Sequence, residues 1–432
     1  MSSLRSRPAL PEGPFLVVGL ARSGQAAARL LAGRGEKVVA IDSGSPEGAE
    51  GLRPLGVEVH LDGDWSEYAD SAGCVVKSPG VPREAPAVAR AVAGGTVLLG
   101  ELELAWRLLP NPFVAVTATN GKTTVAELLG HIWREAGRPV TVAGNVGTPL
   151  SSLVGEISEE TTVVCECSSF QLEDAVKFAP DCAVLLNLAP DHLDRHGSLE
   201  RYRDSKLRIF AKQKPGQWAL FDGSDPGLQG VRPGGLGRVI DLGGAPLPQL
   251  PEGSALAGPH NARNARAAMT AALAMKIPRS VVEQALGTFP GLAHRVELIA
   301  ERDGVSYVND SKATNPAAAI AAIRSFERVR LIAGGSIKGE RFTELAGPVA
   351  ERCSAVYLTG PAAELLAEDL SPAAEAGVEL RRCDGFDAAF AAAAADAKPG
   401  ETVLLSPACA SFDEFSGYEA RGERFRSLVE AL

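Results

Sequence analysis

The sequence predicts an α/β protein of three domains, each a largely parallel sheet wrapped by helices. Three observations carry that prediction. Short β-branched runs alternate with helical runs along the whole chain, the pattern of βα repeats. Many of these runs end in Gly, Ser, Asp or Asn, and open α/β sheets bind ligands at the carboxyl ends of their strands. At 432 residues the chain is also too long for one ordinary core.

In chain order, "FLVVGL", "KVVAID" and "CVVKSPG" supply strands to the first domain. "FVAVTAT", "TTVVCEC" and "CAVLLNL" serve the second, and "VSYVND", "VRLIAGG", "AVYLTG" and "TVLLSPA" the third. The helical "ELELAWRLL" followed by "PNP" ends the first segment, while "FPGLAHRVE" precedes a fresh strand. The domains are therefore expected at residues 1–101, 102–295 and 296–432. Residues 222–258 are rich in Gly and Pro and read as loops with one or two short strands. "FAAAAADAKPG" reads as a small-residue helix ended by Pro399 and Gly400.

Composition narrows the function classes. A net charge of -10 offers no global attraction to nucleic acid or an anionic membrane, so any phosphate must be held locally. "MSSLRSRPALPEG" lacks the apolar core of a leader, no run approaches a membrane span, and the protein is expected in the cytoplasm. Seven cysteines between Cys74 and Cys409 form no disulfide or four-ligand zinc spacing. Cys165 and Cys167 read as core residues of a buried strand.

"TATNGKTT", residues 117–124, has the residues of a phosphate loop. Such a loop needs inward backbone amides, a lysine for the terminal phosphates and a hydroxyl for magnesium, here Gly121, Lys122 and Thr123. Val125, Leu128, Leu129, Ile132 and Ala136 mark the helix behind it, and Gly137 its end. Ala118 stands where a glycine is usual. "TTVVCECSSF" delivers Glu166 to a strand tip, where ATP-using enzymes place a metal carboxylate. "APDHLDRHGSLERYRDSKLRIF" brings Asp191, His192, Asp194 and His196 together, a set that also allows a weak zinc reading. Read in isolation, Lys206 is a solvated helix lysine.

"TNGKTT", "GNVGTPL", "ECSSFQLE", "DHLDRH", "SKLRI", "HNARNARAA", "HRVE", "NDSKATNP" and "SPACASFDEF" occur in this order across essentially the whole chain. The ordered set resembles the Mur ligase family, the ATP-dependent amide ligases of peptidoglycan precursor synthesis. The resemblance implies Rossmann-like first and last domains around a central sheet of the phosphate-loop ATPase type. "ECSSFQLE", "NDSKATN" and "SPACASFDEF" most resemble the branch that adds D-glutamate to UDP-N-acetylmuramoyl-L-alanine by way of an acyl phosphate.

The resemblance further implies a site. Lys122, Glu166, His192 and Lys206 would be catalytic, and ATP would meet Thr119, Asn120, Gly121, Lys122, Thr123, Thr124, Asn264, Arg295 and Asp310. Two magnesium ions would involve Thr123, Glu166, His192 and Lys206, the last as a carbamate. Asn145 and Ser168 would touch the central substrate chain, and D-glutamate would meet Lys312, Thr314, Lys338, Ser411 and Phe412. Small-molecule substrates and a monomer are the partners implied.

"VVGLARSG" followed by "VVAID" reads as a degenerate dinucleotide turn, with Gly19, Gly24 and Asp42 in place and Ala21 at the middle position. The same turn can hold a UDP diphosphate, which the resemblance favours over NAD. Arg22, Ser23, Asp42, Ser43, Ser78 and Gly80 are then the implied contacts.

Overall fold

Three sheets organise the chain in a computed structural model that describes residues 7–432 except 252, 253, 255, 257, 338 and 340. Strands β1 (Phe15–Val18), β2 (Val38–Ile41), β3 (Glu58–His60), β4 (Cys74–Lys77) and β5 (Val97–Gly100) form a parallel sheet in the order β3-β2-β1-β4-β5. The order reverses direction between β1 and β4, the crevice where such sheets take ligands.

The second sheet contains β6 (Phe113–Thr117), β7 (Val140–Gly144), β8 (Thr162–Glu166), β9 (Cys182–Leu185), β10 (Trp218–Phe221) and β11 (Arg238–Asp241). All pairs are parallel, in the order β11-β10-β9-β6-β8-β7. β6, β8 and β9 are buried throughout, which is why they read as continuous apolar runs rather than alternating ones. Registers set Val116 opposite both Glu166 and Val184, so β6 ends level with its neighbours and their following residues share one edge.

The third sheet is β12 (Glu297–Arg302), β13 (Val305–Asn309), β14 (Val329–Gly334), β15 (Cys353–Thr359), β16 (Glu379–Arg382) and β17 (Thr402–Leu405), ordered β12-β13-β17-β14-β15-β16. It is mixed, because β12 runs antiparallel to β13 while the other pairs are parallel. The chain divides into two compact units, Met1–Ser254 with Asn261–Phe289, and Ala255–His260 with Pro290–Leu432.

Local chemistry explains the helices that matter. The helix Lys122–Glu135 buries Val125, Leu128, Leu129 and Ile132, the stripe its spacing predicts, and Gly137 follows it in the left-handed region at φ 63°. The helix Leu199–Ala211 starts at Ser198, whose hydroxyl accepts from the Arg201 amide, and buries Tyr202, Ser205, Lys206, Ile209 and Phe210. Lys206 thus lies on the buried stripe, correcting the solvated reading. The alanine-rich helix spans Phe386–Asp396 and stops before Pro399. Between residues 222 and 258 the only strand among the described residues is β11. Among the described residues, no helix is long and apolar enough to cross a membrane.

Candidate functional site

The loop after β6 is fixed from both sides. Gly121 precedes the helix at φ 88°, and a Cβ there would approach Asn264 Oδ1 to 2.5 Å, so both backbone and space demand glycine. Ala118 is absent from the described non-glycine residues of positive φ and is fully buried; its backbone suits an L-residue, and glycine is not required. The helix has no side-chain N-cap, leaving its first amides without one of their usual protein partners.

Two lysine side chains converge at the root of this loop. Lys122 Nζ donates to the carbonyls of Ala118 at 2.8 Å and Thr119 at 3.0 Å. Lys206 Nζ donates to the same Ala118 oxygen at 2.7 Å and lies 4.5 Å from the centre of the Tyr202 ring. Lys206 is 1% exposed. Burial first, and the Lys122 charge second, push its amine well below the ordinary lysine range, against the pull of Asp191, Cys167 and Glu166. A buried amine kept easily deprotonated is a nucleophile, whereas a solvated lysine at neutral pH is not.

The remaining loop contacts come from β9 and the helices beyond it. Asn187 was missed in the sequence, yet its Oδ1 accepts from the Asn120 amide at 2.9 Å and its Nδ2 donates to the Asn120 carbonyl at 2.9 Å. Thr119 Oγ1 accepts from the Ala189 amide at 3.0 Å and is 3.1 Å from the Tyr202 hydroxyl. Glu166 is buried, and its Oε1 accepts from Asn145 Nδ2 at 2.9 Å. Ser168 closes a capping box with Gln171, so its hydroxyl organises the helix Ser169–Glu173. Thr123 is half-buried on the first turn of the loop helix, and Thr124 is buried beside it.

His192 is exposed at φ 53°, 3.6 Å from Asp191 and 4.9 Å from the Phe170 ring. His196 is buried instead, stacked on Phe170 at 5.2 Å and 3.0 Å from Ser169 Oγ. Burial, then His192 and Lys206, lower its pKa to about 4, so it is neutral at physiological pH. Among the described residues no three His, Cys, Asp or Glu side chains gather as metal ligands. A zinc cage is thus unsupported; magnesium, commonly held by one or two carboxylates plus phosphate oxygens, suits this donor set better. Cys165 and Cys167 are buried, with sulfurs 3.5 Å apart.

The first sheet carries a second turn. Gly19 has φ 87°, and a Cβ on Gly24 would approach the Gly19 carbonyl to 1.8 Å. Ser78 Oγ donates to that carbonyl at 2.7 Å. The Asp42 carboxylate accepts from the amides of Leu20 at 2.6 Å and Gly44 at 2.9 Å. Gly19, Asp42 and Ser43 line a 230 Å³ cavity with Trp65 and Val81. Arg22 opens the following helix and donates to the Gly147 carbonyl at 2.5 Å, while Ser23 is half-buried next to it.

In the second unit, Arg295 lies between His294 at φ 60° and Val296 at φ 46°. Positive φ at a β-branched residue is strained backbone, often retained where a side chain must be aimed. Asp310 is 3% exposed, accepts from Ser406 Oγ at 2.8 Å, and has its pKa raised to about 7 by burial, partly opposed by Arg295. Lys312 Nζ lies 5.2 Å from the Tyr418 ring centre, and the Thr314 amide donates to the Lys312 carbonyl at 2.9 Å. Ser411 is buried, but Phe412 is 74% exposed. Lys338 lies outside the described residues. Arg421, also missed in the sequence, donates to the carbonyls of Ser311, Cys409 and Ala410 at 2.9, 3.1 and 3.3 Å, tying two candidate loops together. No motif announced it.

Three family models match successive stretches of the chain. Residues 14–100 match the Mur ligase MurD-like N-terminal domain, 116–233 the Mur ligase middle domain and 294–409 the Mur ligase glutamate ligase domain. A UDP-N-acetylmuramoylalanine--D-glutamate ligase of Pelotomaculum thermopropionicum is 42% identical over 96% of this chain and 97% of its own. A ligase of the same name from Salinibacter ruber is 39% identical over 96% and 97%. Among solved structures, MurF ligase from Thermotoga maritima in complex with ADP shares the fold, with a TM-score of 0.59 at 18% identity over 100% of both chains.

Proposed function

The chain belongs to the Mur ligase family, and we propose that it joins D-glutamate to UDP-N-acetylmuramoyl-L-alanine with consumption of ATP, in cytoplasmic peptidoglycan precursor synthesis. The observation that carries this reading is the meeting of Lys122 and Lys206 on the Ala118 carbonyl, beside Glu166 at the tip of β8. Two anions, a carboxylate and a triphosphate, must approach each other, and the Lys122 ammonium at the root of the phosphate loop offsets their repulsion, while Lys206 is the buried amine beside it.

In this reading the alanyl carboxylate attacks the γ-phosphorus of ATP, ADP leaves, and an acyl phosphate results. The D-glutamate amine then adds to the acyl carbon, the tetrahedral intermediate expels inorganic phosphate, and the amide remains. The loop residues Thr119 to Thr124 are assigned to the phosphates, with Asn264 close against Gly121, and Arg295 and Asp310 are likewise assigned to ATP. Lys312, Thr314, Lys338, Ser411 and Phe412 are assigned to D-glutamate. Arg22, Ser23, Asp42, Ser43, Ser78 and Gly80 are assigned to the UDP moiety, and Asn145 and Ser168 to the substrate chain. Domain limits near residues 101 and 295, and a monomeric state, belong to the same proposal.

Thr123 and Glu166 would hold one magnesium ion, and His192 with a carbamate on Lys206 a second. Bound there, the ions would supply charge neutralisation to the transferring phosphoryl group. The buried, readily deprotonated Lys206 amine fits carbamylation: the neutral amine adds to carbon dioxide and gives up a proton, leaving an oxygen-donor anion.

Phosphate release is the test, measured with ATP, magnesium and UDP-N-acetylmuramoyl-L-alanine while D-glutamate, L-glutamate, L-lysine or meso-diaminopimelate is added singly. Release that depends on D-glutamate supports the proposal. Release with another amino acid, or with none, contradicts it.

A further inference from the structure

We propose that Arg195 is a positioning residue that shapes the Ser78–Val81 turn for the UDP moiety from within the loop that carries His192. Its guanidinium donates to three successive carbonyls, Gly80 at 2.9 Å, Val81 at 2.6 Å and, more distantly, Pro79 at 3.4 Å. It also lies 4.9 Å from the centre of the Phe170 ring, the ring against which His192 and His196 rest. Lys77, fully buried, grips the same turn from its own strand end: it donates to Val81 O at 2.8 Å and pairs with Asp174 at 2.9 Å. Ser78 joins the turn to Gly19.

A solvated helix arginine would make no such set of contacts. A planar fork with several fixed donors can hold adjacent carbonyls at once, which one ammonium group cannot. The consequence follows from the planar trans peptide: with the Pro79 carbonyl turned toward Arg195, the Gly80 N–H of that same peptide is directed away from it. Arg195 therefore fixes which way the amide of Gly80, one of the proposed UDP contacts, is presented. The link reaches 115 residues along the chain, from the first sheet to the loop after β9.

The inference rests on the proposed function and is tested by binding as well as turnover. Calorimetric titration of wild type, Arg195→Ala and Arg195→Lys with UDP-N-acetylmuramoyl-L-alanine, and separately with ADP, is the experiment. In the alanine variant, affinity for the nucleotide sugar should fall about tenfold and its KM rise in parallel, the loss of hydrogen bonds to a charged group. ADP affinity and kcat should stay within about twofold, and lysine should restore only part of the loss. Unchanged nucleotide-sugar affinity in the alanine variant would overturn the inference. So would equal losses for both ligands with a lowered unfolding temperature, the mark of a merely structural role. A wild-type protein that binds ADP but not the nucleotide sugar would overturn the functional reading, and this inference with it; the wild-type titration separates the two failures.

Discussion

The turn after β1 and the turn after β6 are built alike and charged differently. Each follows a buried strand, places a glycine in the left-handed region, φ 87° at Gly19 and 88° at Gly121, and opens a helix without a side-chain cap. Both therefore offer helix amides to an anion. Around the first turn the ordering groups are Ser78 and the Asp42 carboxylate, both spent on backbone. Around the second, the Lys122 ammonium and the buried Lys206 amine share one carbonyl. In the proposed reading the first turn only seats a diphosphate, whereas the second must also hold positive charge, on Lys122, where a phosphoryl group is transferred.

Substitutions that erase the difference should have the largest effects. Lys122→Ala would leave the second turn with the glycine geometry of the first, and kcat should fall on the order of 10³-fold, read by phosphate release. Lys206→Ala should lower kcat by on the order of 10²-fold or more, with added short carboxylates restoring part of it. Full activity in either variant would contradict the assigned role.

The two glycines sharpen the comparison by separating ligands. Gly121→Ala forces a Cβ into Asn264, and Gly24→Ala forces one into the Gly19 carbonyl. On the order of 100-fold losses in kcat/KM are expected, falling on the ATP term for Gly121→Ala and on the nucleotide-sugar term for Gly24→Ala. Exchange of those two signatures would break the comparison.

A smaller effect concerns His196. Its folded pKa of about 4 lies below the ordinary 6.5, so the unfolded chain binds the proton first, and stability falls as pH drops from 6.5 toward 4. Urea unfolding of His196→Asn across that window should show a shallower decline than wild type. The smallest effect is expected for Ala118→Gly. The loop already suits an alanine, so turnover should stay within about twofold while stability drops by about 0.5–1 kcal/mol through the freer unfolded chain.

Much of this was legible in the sequence, for identifiable reasons. The strands first recognised, such as β6, β8, β9, β14 and β17, are buried on both faces and so predominantly apolar. Those unrecognised include β3, β12 and β16, whose exposed positions admit Glu and Arg and blur the signal. Lys122 and Glu166 could be singled out as candidates because residue type and strand-end position coincide, and His192 because it follows a buried run. Lys206 could have been placed correctly, since Tyr202, Lys206, Ile209 and Phe210 follow helical spacing. The partners of Asn187, Arg195 and Arg421 could not. Their contacts span 67, 115 and 110 residues, and no local pattern encodes a carbonyl that far away.

The most direct test of the central claim follows oxygen. With ¹⁸O in both positions of the alanyl carboxylate, ATP, magnesium and D-glutamate, the released phosphate is analysed by mass spectrometry. Acyl phosphate formation at the lysine-lined loop predicts one ¹⁸O in each phosphate and one retained in the amide. Phosphate free of label, with amide formed, would show that the carboxylate never attacked phosphorus and would contradict the account.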